Sequence, residues 1–307
     1  MNVVLDALAF SNIIVLSSIG LTLTYITLKV PNFAHGDLVT IGAYTALAAA
    51  RLLGITPYAA IPLAFIASGM AALASYYLVY RPLDRRGAGI VTLMIASMST
   101  EVILRASLHI FADVMTTSTK SYWRGFLFRE EGGQLTSYIV VSTITAILII
   151  ISLYLFLHRT KYGVALRAAV ENPSLASAIG IDVDKARAVS WLIAGGLAGV
   201  AGVFMPFRTP TDPETGWALL LRMFAASVLG GLDAVFGAVI GGYVIGLSEV
   251  LGIYLLSGPP LNLSTAYRPA IPFAILVILL LIAPRGLSGV EWRRLLSRMS
   301  RGVVRSG

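Results

Sequence analysis

Long apolar runs separated by short polar stretches make up most of the chain. Nine runs can be delimited, at residues 8–28, 35–50, 57–80, 88–109, 136–157, 188–206, 218–231, 235–256 and 268–283. Most of them approach the ~20 residues that a helix needs to cross ~30 Å of hydrocarbon. The pattern predicts an all-α, polytopic transmembrane helical bundle of about 8–10 membrane segments, folded as a single transmembrane domain over residues 1–307.

Two of the runs, 35–50 and 218–231, are too short to span the membrane comfortably. Each follows one full-length segment, at corresponding places in the two halves of the chain. Short or interrupted segments are typical of transporters, in which they gather near the translocation path. We therefore expect some segments to be broken or re-entrant, and the arrangement indicates an internal repeat.

The composition agrees with a membrane protein. Of the 307 residues, 57% are hydrophobic and 12% are charged, and the mean hydropathy is +0.83. These values exclude an ordinary soluble domain. The net charge of +8 does not indicate a nucleic-acid partner, because the arginines lie beside apolar runs and form no basic face interleaved with aromatic residues. Membrane lipid is the partner that this composition predicts.

The basic residues fall into three groups, which predict the orientation of the chain. The groups are Arg81, Arg85 and Arg86; Arg159, Lys161, Arg167, Lys185 and Arg187; and Arg285, Arg293, Arg294, Arg298, Arg301 and Arg305. By the positive-inside rule all three face the cytoplasm. The predicted topology is that of a multi-pass protein of the cell membrane, with a cytoplasmic loop at about 158–187 and a basic cytoplasmic tail at 284–307.

The stretch at about 110–135 is then the one sizeable external loop. It contains the aromatic residues Phe111, Tyr122, Trp123, Phe126 and Phe128. Aromatic side chains are enriched at membrane–water interfaces. We expect them to anchor the loop at the interface, with a docking surface for an external partner as the alternative.

The polar stretch VENPSLASAIGIDVDKAR separates two apolar runs and predicts a short capped helix. Asn172 is a good N-cap, Pro173 suits the first helical position, and Gly180 suits the position after the end. Leu175 and Ile179 are four residues apart and share a face. Because so short a helix is not stable alone in water, it must pack against something. That support is either the membrane surface or a groove in another subunit.

Four segments, in this order, resemble the signatures of permeases from branched-chain amino-acid ABC importers. They are VPNFAHGDLVTIGAY at 30–44, TKYGVALRAAVENPSLASAIGIDVDKARAVSWLIAGGLAGVAGVF at 160–204, RMFAASVLGGLDAVFGAVIGGYVIGLSE at 222–249, and APRGLSG at 283–289. The resemblance covers nearly the whole chain. Ala283 stands where arginine is common and Arg222 where lysine is common, and the loop at 110–135 has no counterpart in the family pattern.

The resemblance implies a permease subunit of an importer for branched-chain or related apolar amino acids. It also implies a homologous second permease, two cytoplasmic nucleotide-binding ATPase subunits and an external solute-binding protein. The short capped helix would be the coupling helix that contacts the ATPase, through Glu171, Asn172, Pro173, Leu175, Ala176, Ile179 and Gly180. The alternatives are a secondary transporter or channel without an ATPase, and a membrane-embedded enzyme.

The chain itself has no phosphate-binding loop. None of its four lysines follows a glycine, so the pattern G-x-x-x-x-G-K-[ST] does not occur. If ATP drives transport, a partner chain binds the ATP and its Mg²⁺. No catalytic residue, cofactor or metal site is expected in this chain.

Polar residues within apolar runs are the candidates for the pathway, because charges in a membrane need a partner or a water-filled cavity. Asn32, His35 and Asp37 lie in PNFAHGD, where Pro31 and Asn32 predict the start of a helix. Read with the family signature, these three residues are candidates for a pore-lining or gating role; the alternative is that they are only hydrogen-bonded within the fold. Glu101 and Arg105 share a helix face with His109. We expect an intramembrane ion pair between Glu101 and Arg105, with substrate contact as the alternative.

Glycines at small-xxx-small spacing predict close helix packing, because they allow helix backbones to approach each other. The three pairs are Gly195 and Gly199, Gly237 and Gly241, and Gly242 and Gly246. Smooth interfaces of this kind would also let helices rock against each other.

Overall fold

The computed structural model of the chain describes residues 3–128, 136–259 and 262–282 as an all-α bundle. Its α-helices are α1 Val3–Leu28, α2 His35–Leu52, α3 Ile61–Ser75, α4 Arg81–Arg85, α5 Ile90–Thr119, α6 Thr136–Arg159, α7 Lys161–Glu171, α8 Pro173–Ala178, α9 Val183–Phe204, α10 Thr215–Gly230, α11 Val235–Leu256 and α12 Ala270–Ile282. The motif at 283–289, the basic tail at 284–307 and residues 129–135 of the predicted external loop lie outside the described residues.

Each of the nine predicted segments corresponds to a helix, and the predicted fold class is confirmed. Within the described ranges, six helices are long and apolar enough to cross a membrane. They are Val3–Leu28, Pro57–Arg85, Ile90–Thr119, Ser137–Arg159, Val183–Phe207 and Val235–Leu256. The span Pro57–Arg85 includes α3 and α4, joined by a π-helical turn at Tyr76–Tyr80. The segments predicted to be short are α2, with 18 residues, and α10, with 16.

The helices α1 and α9 form an antiparallel pair at the centre of the bundle. The side chain of Ser190, near the start of α9, donates a hydrogen bond to the carbonyl of Leu23, near the end of α1, at 3.2 Å. At the opposite ends, Arg208 pairs with Asp6 at 2.5 Å. Of the 18 most apolar consecutive residues, 72% are buried in α1 and 83% in the span Val183–Phe207, which contains α9. These shares are far larger than in α5 or α6. A helix that is apolar on all sides is buried either in such a core or in the membrane.

The other helices surround this pair in a way that supports the internal repeat. The helices α2 and α3 pack on α9, whereas α10 and α11 pack on α1. If α1 is taken as the first helix of one half and α9 as the first helix of the other, each half packs its second and third helices on the first helix of the other half. The starts of α2 and α10 also meet, because Gly36 lies against the backbone of Gly216.

Close backbone contacts occur at all six glycines of the predicted small-xxx-small pairs. A Cβ atom on Gly199 would lie 2.6 Å from Ser68 Oγ in α3, and one on Gly242 would lie 2.8 Å from Val15 Cα in α1. Gly195 faces α3, Gly246 faces α1, and Gly237 and Gly241 face α10. The central helices approach each other so closely only because these positions have no side chain.

The stretch predicted as an external loop at 110–135 differs from expectation in two ways. The helix α5 continues to Thr119, ten residues beyond the predicted end at 109. Trp123 is fully buried, and the backbone of Phe126 pairs with that of Thr211. The interpretation of Trp123 and Phe126 as interfacial anchors is therefore wrong, because both pack inside the bundle against Tyr44.

The segment predicted as a cytoplasmic loop at 158–187 contains a further helix, α7, that sequence reasoning missed. The α6 helix reaches Arg159, and α7 begins directly afterwards. Thr160 caps α7, because its side chain accepts a hydrogen bond from the backbone N–H of Gly163 at 3.0 Å. Leu166 and Ala169 bury one face of the helix. The position of α7 connects α6 to α8.

The first two basic groups lie at the same end of the bundle, which we call the α8 end. Asp184 contacts both Arg81 and Arg85. Asp84 accepts from Arg187 at 2.7 Å. These ion pairs join α4 to the start of α9, so the groups that the positive-inside rule assigned to one side of the membrane are together.

Leucine substitutions test the close packing. Gly199→Leu and Gly242→Leu should each destabilise the protein by about 1–3 kcal/mol or prevent its assembly, because the facing atoms are backbone or short side chains. The measurement is the thermal midpoint and monodispersity of the purified protein in detergent. Gly89→Leu is the matched control, because a Cβ there meets nothing within 4 Å. Equal behaviour of all three variants would contradict tight packing.

Candidate functional site

The helix α8 is capped as its sequence predicts. The side-chain carbonyl of Asn172 accepts a hydrogen bond from the backbone N–H of Leu175 at 3.0 Å, and Pro173 is the first helical residue. Gly180 has a φ of 88°, which ends the helix in the left-handed conformation that glycine adopts without strain. The N–H of Ile181 then closes the end on the carbonyl of Ala176 at 3.0 Å. The cap residues fix both ends of this short helix.

An apolar surface of α8 has no cover in the described part of the chain. Leu175 is 60% exposed and Ile179 is 69% exposed, whereas Ala176 is 2% exposed and packs inward. A shallow cavity of about 330 Å³ lies beside them, lined also by Ala168, Glu171 and Asn172. A short helix that presents two large apolar side chains next to a hollow is suited to docking against another surface.

The support of α8 links it to the spanning helices. The helix α8 packs on α7 and α9, and α7 packs on α6 and α9. The Asp182 carboxylate caps α9, and the hydrogen bond that it accepts from the Lys185 backbone N–H at 3.0 Å lowers the pKa of Asp182. Two residues later, Asp184 is held by Arg81 and Arg85. The α8 end is thus a connected unit of α4, α7, α8 and the start of α9.

The start of α2 differs in detail from the sequence prediction. The helix begins at His35, and Ala34 occupies the N-cap position without a side-chain hydrogen bond. The expectation that Pro31 and Asn32 start the helix is therefore wrong. The Asn32 side chain instead accepts a hydrogen bond from Tyr80 Oη at 3.0 Å, because the π-helical turn at Tyr76–Tyr80 presents that tyrosine to it.

His35 is fully buried and points into the central pair of helices. Its Nε2 lies 3.0 Å from the carbonyl oxygen of Ser17 in α1. Gly20, one turn further along α1, has no side chain and leaves room for the imidazole ring. The histidine therefore fills the gap between α1 and the first turn of α2.

A charged cluster joins the two sets of membrane residues that the sequence singled out separately. Asp37 is 1% exposed, and its Oδ1 lies 3.9 Å from Arg105 Nε. Arg105 also contacts Glu101, and its guanidinium lies 4.7 Å from the centre of the Trp217 ring. The cluster thus combines the start of α2, the middle of α5 and the start of α10. The positive end of the α2 dipole favours a carboxylate in this first turn.

A second charged cluster, at the end of the bundle opposite α8, was missed as a unit. Glu249 is fully buried between Arg222 and Arg268, and each pairs with it at 2.7 Å. The guanidinium groups of Arg208 and Arg268 each lie 4.6 Å from the centre of the Phe10 ring. A cavity of about 530 Å³ adjoins this cluster. The sequence shows Glu249 as an isolated charge, because its partners are 27 and 19 residues away in other elements.

The helical architecture, with six long apolar helices among the described residues, defines an integral multi-pass membrane protein. Residues 3–280 match the family described as branched-chain amino acid transport system / permease component. The chain therefore belongs to this family of permeases.

Several relatives cover nearly the whole chain. The probable branched-chain amino acid transport permease protein LivH of Methanocaldococcus jannaschii is 42% identical over 292 residues, which are 94% of this chain and 92% of that protein. The high-affinity permease protein LivH of Escherichia coli K12 is 29% identical over 289 residues, which are 89% of this chain and 90% of that one. A chain of the PsaBC complex from Streptococcus pneumoniae has the same fold, with a TM-score of 0.53, 15% identity and 93% coverage of both chains.

Removal of the buried carboxylate at the far end should destabilise the bundle. Glu249→Leu leaves two partly buried arginines without their counter-charge, and breaking a buried ion pair costs about 3–5 kcal/mol. The measurement is the thermal midpoint in detergent. Asp113→Leu is the control, since it breaks an exposed pair with Arg124 that is worth at most about 1 kcal/mol. Equal shifts for the two variants would contradict the importance of the buried cluster.

Proposed function

We propose that this chain is the membrane permease of an ATP-driven importer of branched-chain or similarly apolar amino acids. It works with a homologous second permease, two cytoplasmic ATPase subunits and an external solute-binding protein, and the ATPase subunits use the ATP and Mg²⁺. The single observation that carries the proposal is the capped helix α8, which exposes Leu175 and Ile179 at one end of the bundle. The names of the full-length relatives support the substrate class.

The α8 helix is the coupling element in this proposal. Its exposed apolar side chains enter a groove of the ATPase, while Glu171 and Asn172 lie at the rim of the adjoining cavity. Burial of two large aliphatic side chains supplies about 3–6 kcal/mol, enough to hold a short helix in a partner. Pro173 and Gly180 keep the helix rigid at both ends, so that movement of the groove moves the helix as a body.

Movement of α8 reaches the core through α9. The start of α9 is joined to α4 by the contacts of Asp184 with Arg81 and Arg85. The rest of α9 packs on α1, α2 and α3. Close glycine contacts along α9 limit these movements to rigid-body rocking, because the backbones have no room to deform around them.

The polar cluster at the starts of α2 and α10 lies along the translocation path. Asn32, His35 and Asp37 act there as gating residues, and the Glu101–Arg105 pair contributes its charge to the same place. Support comes from the position of the cluster at the start of two short helices that meet within the bundle. Transporters place their substrate sites at such interruptions.

The α8 end faces the cytoplasm in this proposal, and the opposite end faces outward. Arg81, Arg85 and Arg187 lie at the α8 end, as the positive-inside rule requires of a cytoplasmic surface. The external binding protein then delivers the amino acid to the end that carries the Arg222–Glu249–Arg268 cluster.

Charged substitutions on α8 should uncouple the importer. Leu175→Asp or Ile179→Asp places a carboxylate in the apolar contact, and burying it there costs several kcal/mol. ATP-driven uptake of leucine into proteoliposomes should fall to background, while the permease still inserts and purifies normally. Leu175→Met and Ile179→Leu are the matched controls and should keep uptake. Full uptake by both aspartate variants would exclude α8 as the coupling element.

Truncation of His35 tests the pathway. His35→Ala removes the imidazole that contacts the Ser17 carbonyl between α1 and α2. If His35 gates the pathway, a rise of ~1.4 kcal/mol in the barrier to transport lowers the rate of uptake about tenfold. The measurement is the initial rate of leucine uptake, normalised to assembled complex. His158→Ala is the control, because that histidine is exposed at the α8 end. An unchanged rate in His35→Ala removes His35 from the pathway.

A secondary transporter or channel is distinguished by a simpler measurement. Proteoliposomes that contain the permease pair alone should not take up leucine, with or without an ion gradient. Uptake without the ATPase subunits would contradict the proposed function.

A further inference from the structure

The helices α2 and α5 form a cleft whose two ends differ in chemistry. On α2, residues at positions 37, 41, 45 and 48 share one face by helical spacing. On α5, positions 101, 104, 105, 108 and 111 share the facing one. Asp37, Glu101 and Arg105 form the charged end. One helical turn further along each helix, at Ile41 and Leu104, a cavity begins whose lining is apolar or weakly polar.

The charged end has an excess of acceptors. Asp37 and Glu101 oppose one arginine, so the three groups together carry a net charge of −1 when both carboxylates are ionised. Neither carboxylate oxygen of Asp37 accepts a hydrogen bond from the described residues, although the side chain is 1% exposed. A buried carboxylate without a donor is costly. An ammonium group placed there would supply both the missing charge and the missing donors.

The guanidinium of Arg105 lies between Asp37, Glu101 and the ring of Trp217. Its side chain is 21% exposed, more than either carboxylate. Arginine recognises carboxylates through a planar set of donors. The same end of the cleft thus offers acceptors for an ammonium and donors for a carboxylate.

The rest of the cleft is an apolar cavity of about 440 Å³. Its walls include Ile41, Thr45 and Ala48 from α2 and Leu104, Leu108 and Phe111 from α5. The volume lies in the range of about 300–1,000 Å³ that is usual for small-molecule sites, and such sites combine apolar walls with a few polar groups. An aliphatic side chain of three or four carbons fits walls of this composition.

We propose that the α2–α5 cleft is a transit site for the transported amino acid, in which Asp37 and Glu101 receive the ammonium, Arg105 receives the carboxylate, and the apolar cavity receives the branched side chain. This inference rests on the proposed function and adds to it the place and chemistry of recognition inside the permease. A lipid chain would use only the apolar part of the cleft, and it would leave the charged end without its donors. The amino acid matches both parts at once.

Cysteine labelling tests the proposal directly. The chain contains no cysteine, so Ser107→Cys creates a single thiol on the wall of the cavity. In the complete importer, a thiol-reactive probe should modify this cysteine about tenfold more slowly when leucine is present at about ten times its dissociation constant for the cleft. Ser99→Cys is the matched control, because Ser99 is an exposed serine of α5 outside the cavity. Leucine should leave its labelling rate unchanged.

Analogues of leucine separate zwitterion recognition from simple filling of the cavity. Leucinamide lacks the carboxylate and 4-methylpentanoate lacks the ammonium, so neither should protect Ser107→Cys. Protection by 4-methylpentanoate equal to that by leucine would overturn the role of Asp37 and Glu101. Equal protection by leucinamide would overturn the role of Arg105.

A bulky side chain in the cavity tests transport. Ala48→Phe should lower the rate of leucine uptake about tenfold or more, because an overfilled cavity excludes the branched side chain. Ala106→Phe is the control, since Ala106 is exposed on α5 and does not line the cavity. Equal uptake by the two variants would overturn the proposal.

Other occupants give other results. Protection of Ser107→Cys that depends on added lipid and not on leucine would assign the cleft to lipid. Disulfide formation between the two Ser107→Cys permeases would assign it to the contact between permeases. Either result overturns the transit site but leaves ATP-driven leucine uptake intact, whereas failure of the proposed function abolishes wild-type uptake itself.

Discussion

The contact between Gly36 and Gly216 determines where the polar chemistry of this permease can lie. It brings the first turns of α2 and α10 together inside the bundle. Thr40 strengthens the contact, because its side chain accepts a hydrogen bond from the backbone N–H of Gly216 at 2.9 Å. Helix starts have backbone N–H groups without intrahelical partners, and in hydrocarbon such groups need an acceptor. The Thr40 hydroxyl of α2 supplies one such acceptor to the first turn of α10.

Much of the fold can be predicted from the sequence because hydrocarbon offers the backbone no hydrogen-bond partners. All nine apolar runs became helices, since a spanning segment must satisfy its own backbone. The caps of α8 were also predictable, because Asn172, Pro173 and Gly180 act on neighbouring residues of the same chain. Both the spanning helices and the caps of α8 therefore depend on residues that are close together in the sequence.

The features that sequence reasoning missed depend on partners that are distant in the chain. Glu249 has no partner in its own helix, and only the packing of α11 on α10 and α12 brings Arg222 and Arg268 to it. Trp123 looks like an interfacial anchor, yet tertiary packing buries it against α2 and α5. The helix α7 was overlooked because it is short and amphipathic, with Lys161, Arg167 and Glu171 among its apolar residues, and its start depends on a single threonine cap. The charged cluster was predicted as two separate sets, since nothing in the sequence shows that α2 and α5 face each other.

The π-helical turn at Tyr76–Tyr80 connects two distant parts of the protein. A π turn holds more residues than an α turn, so converting it to regular α-helix would rotate the following residues by roughly 100° about the helix axis. Tyr80 would then leave Asn32, and Arg81 would leave Asp184 at the same time. The π-helical turn therefore positions Tyr80 for Asn32, in the loop before α2, and Arg81 for Asp184, at the start of α9. Loss of the turn would break both contacts together.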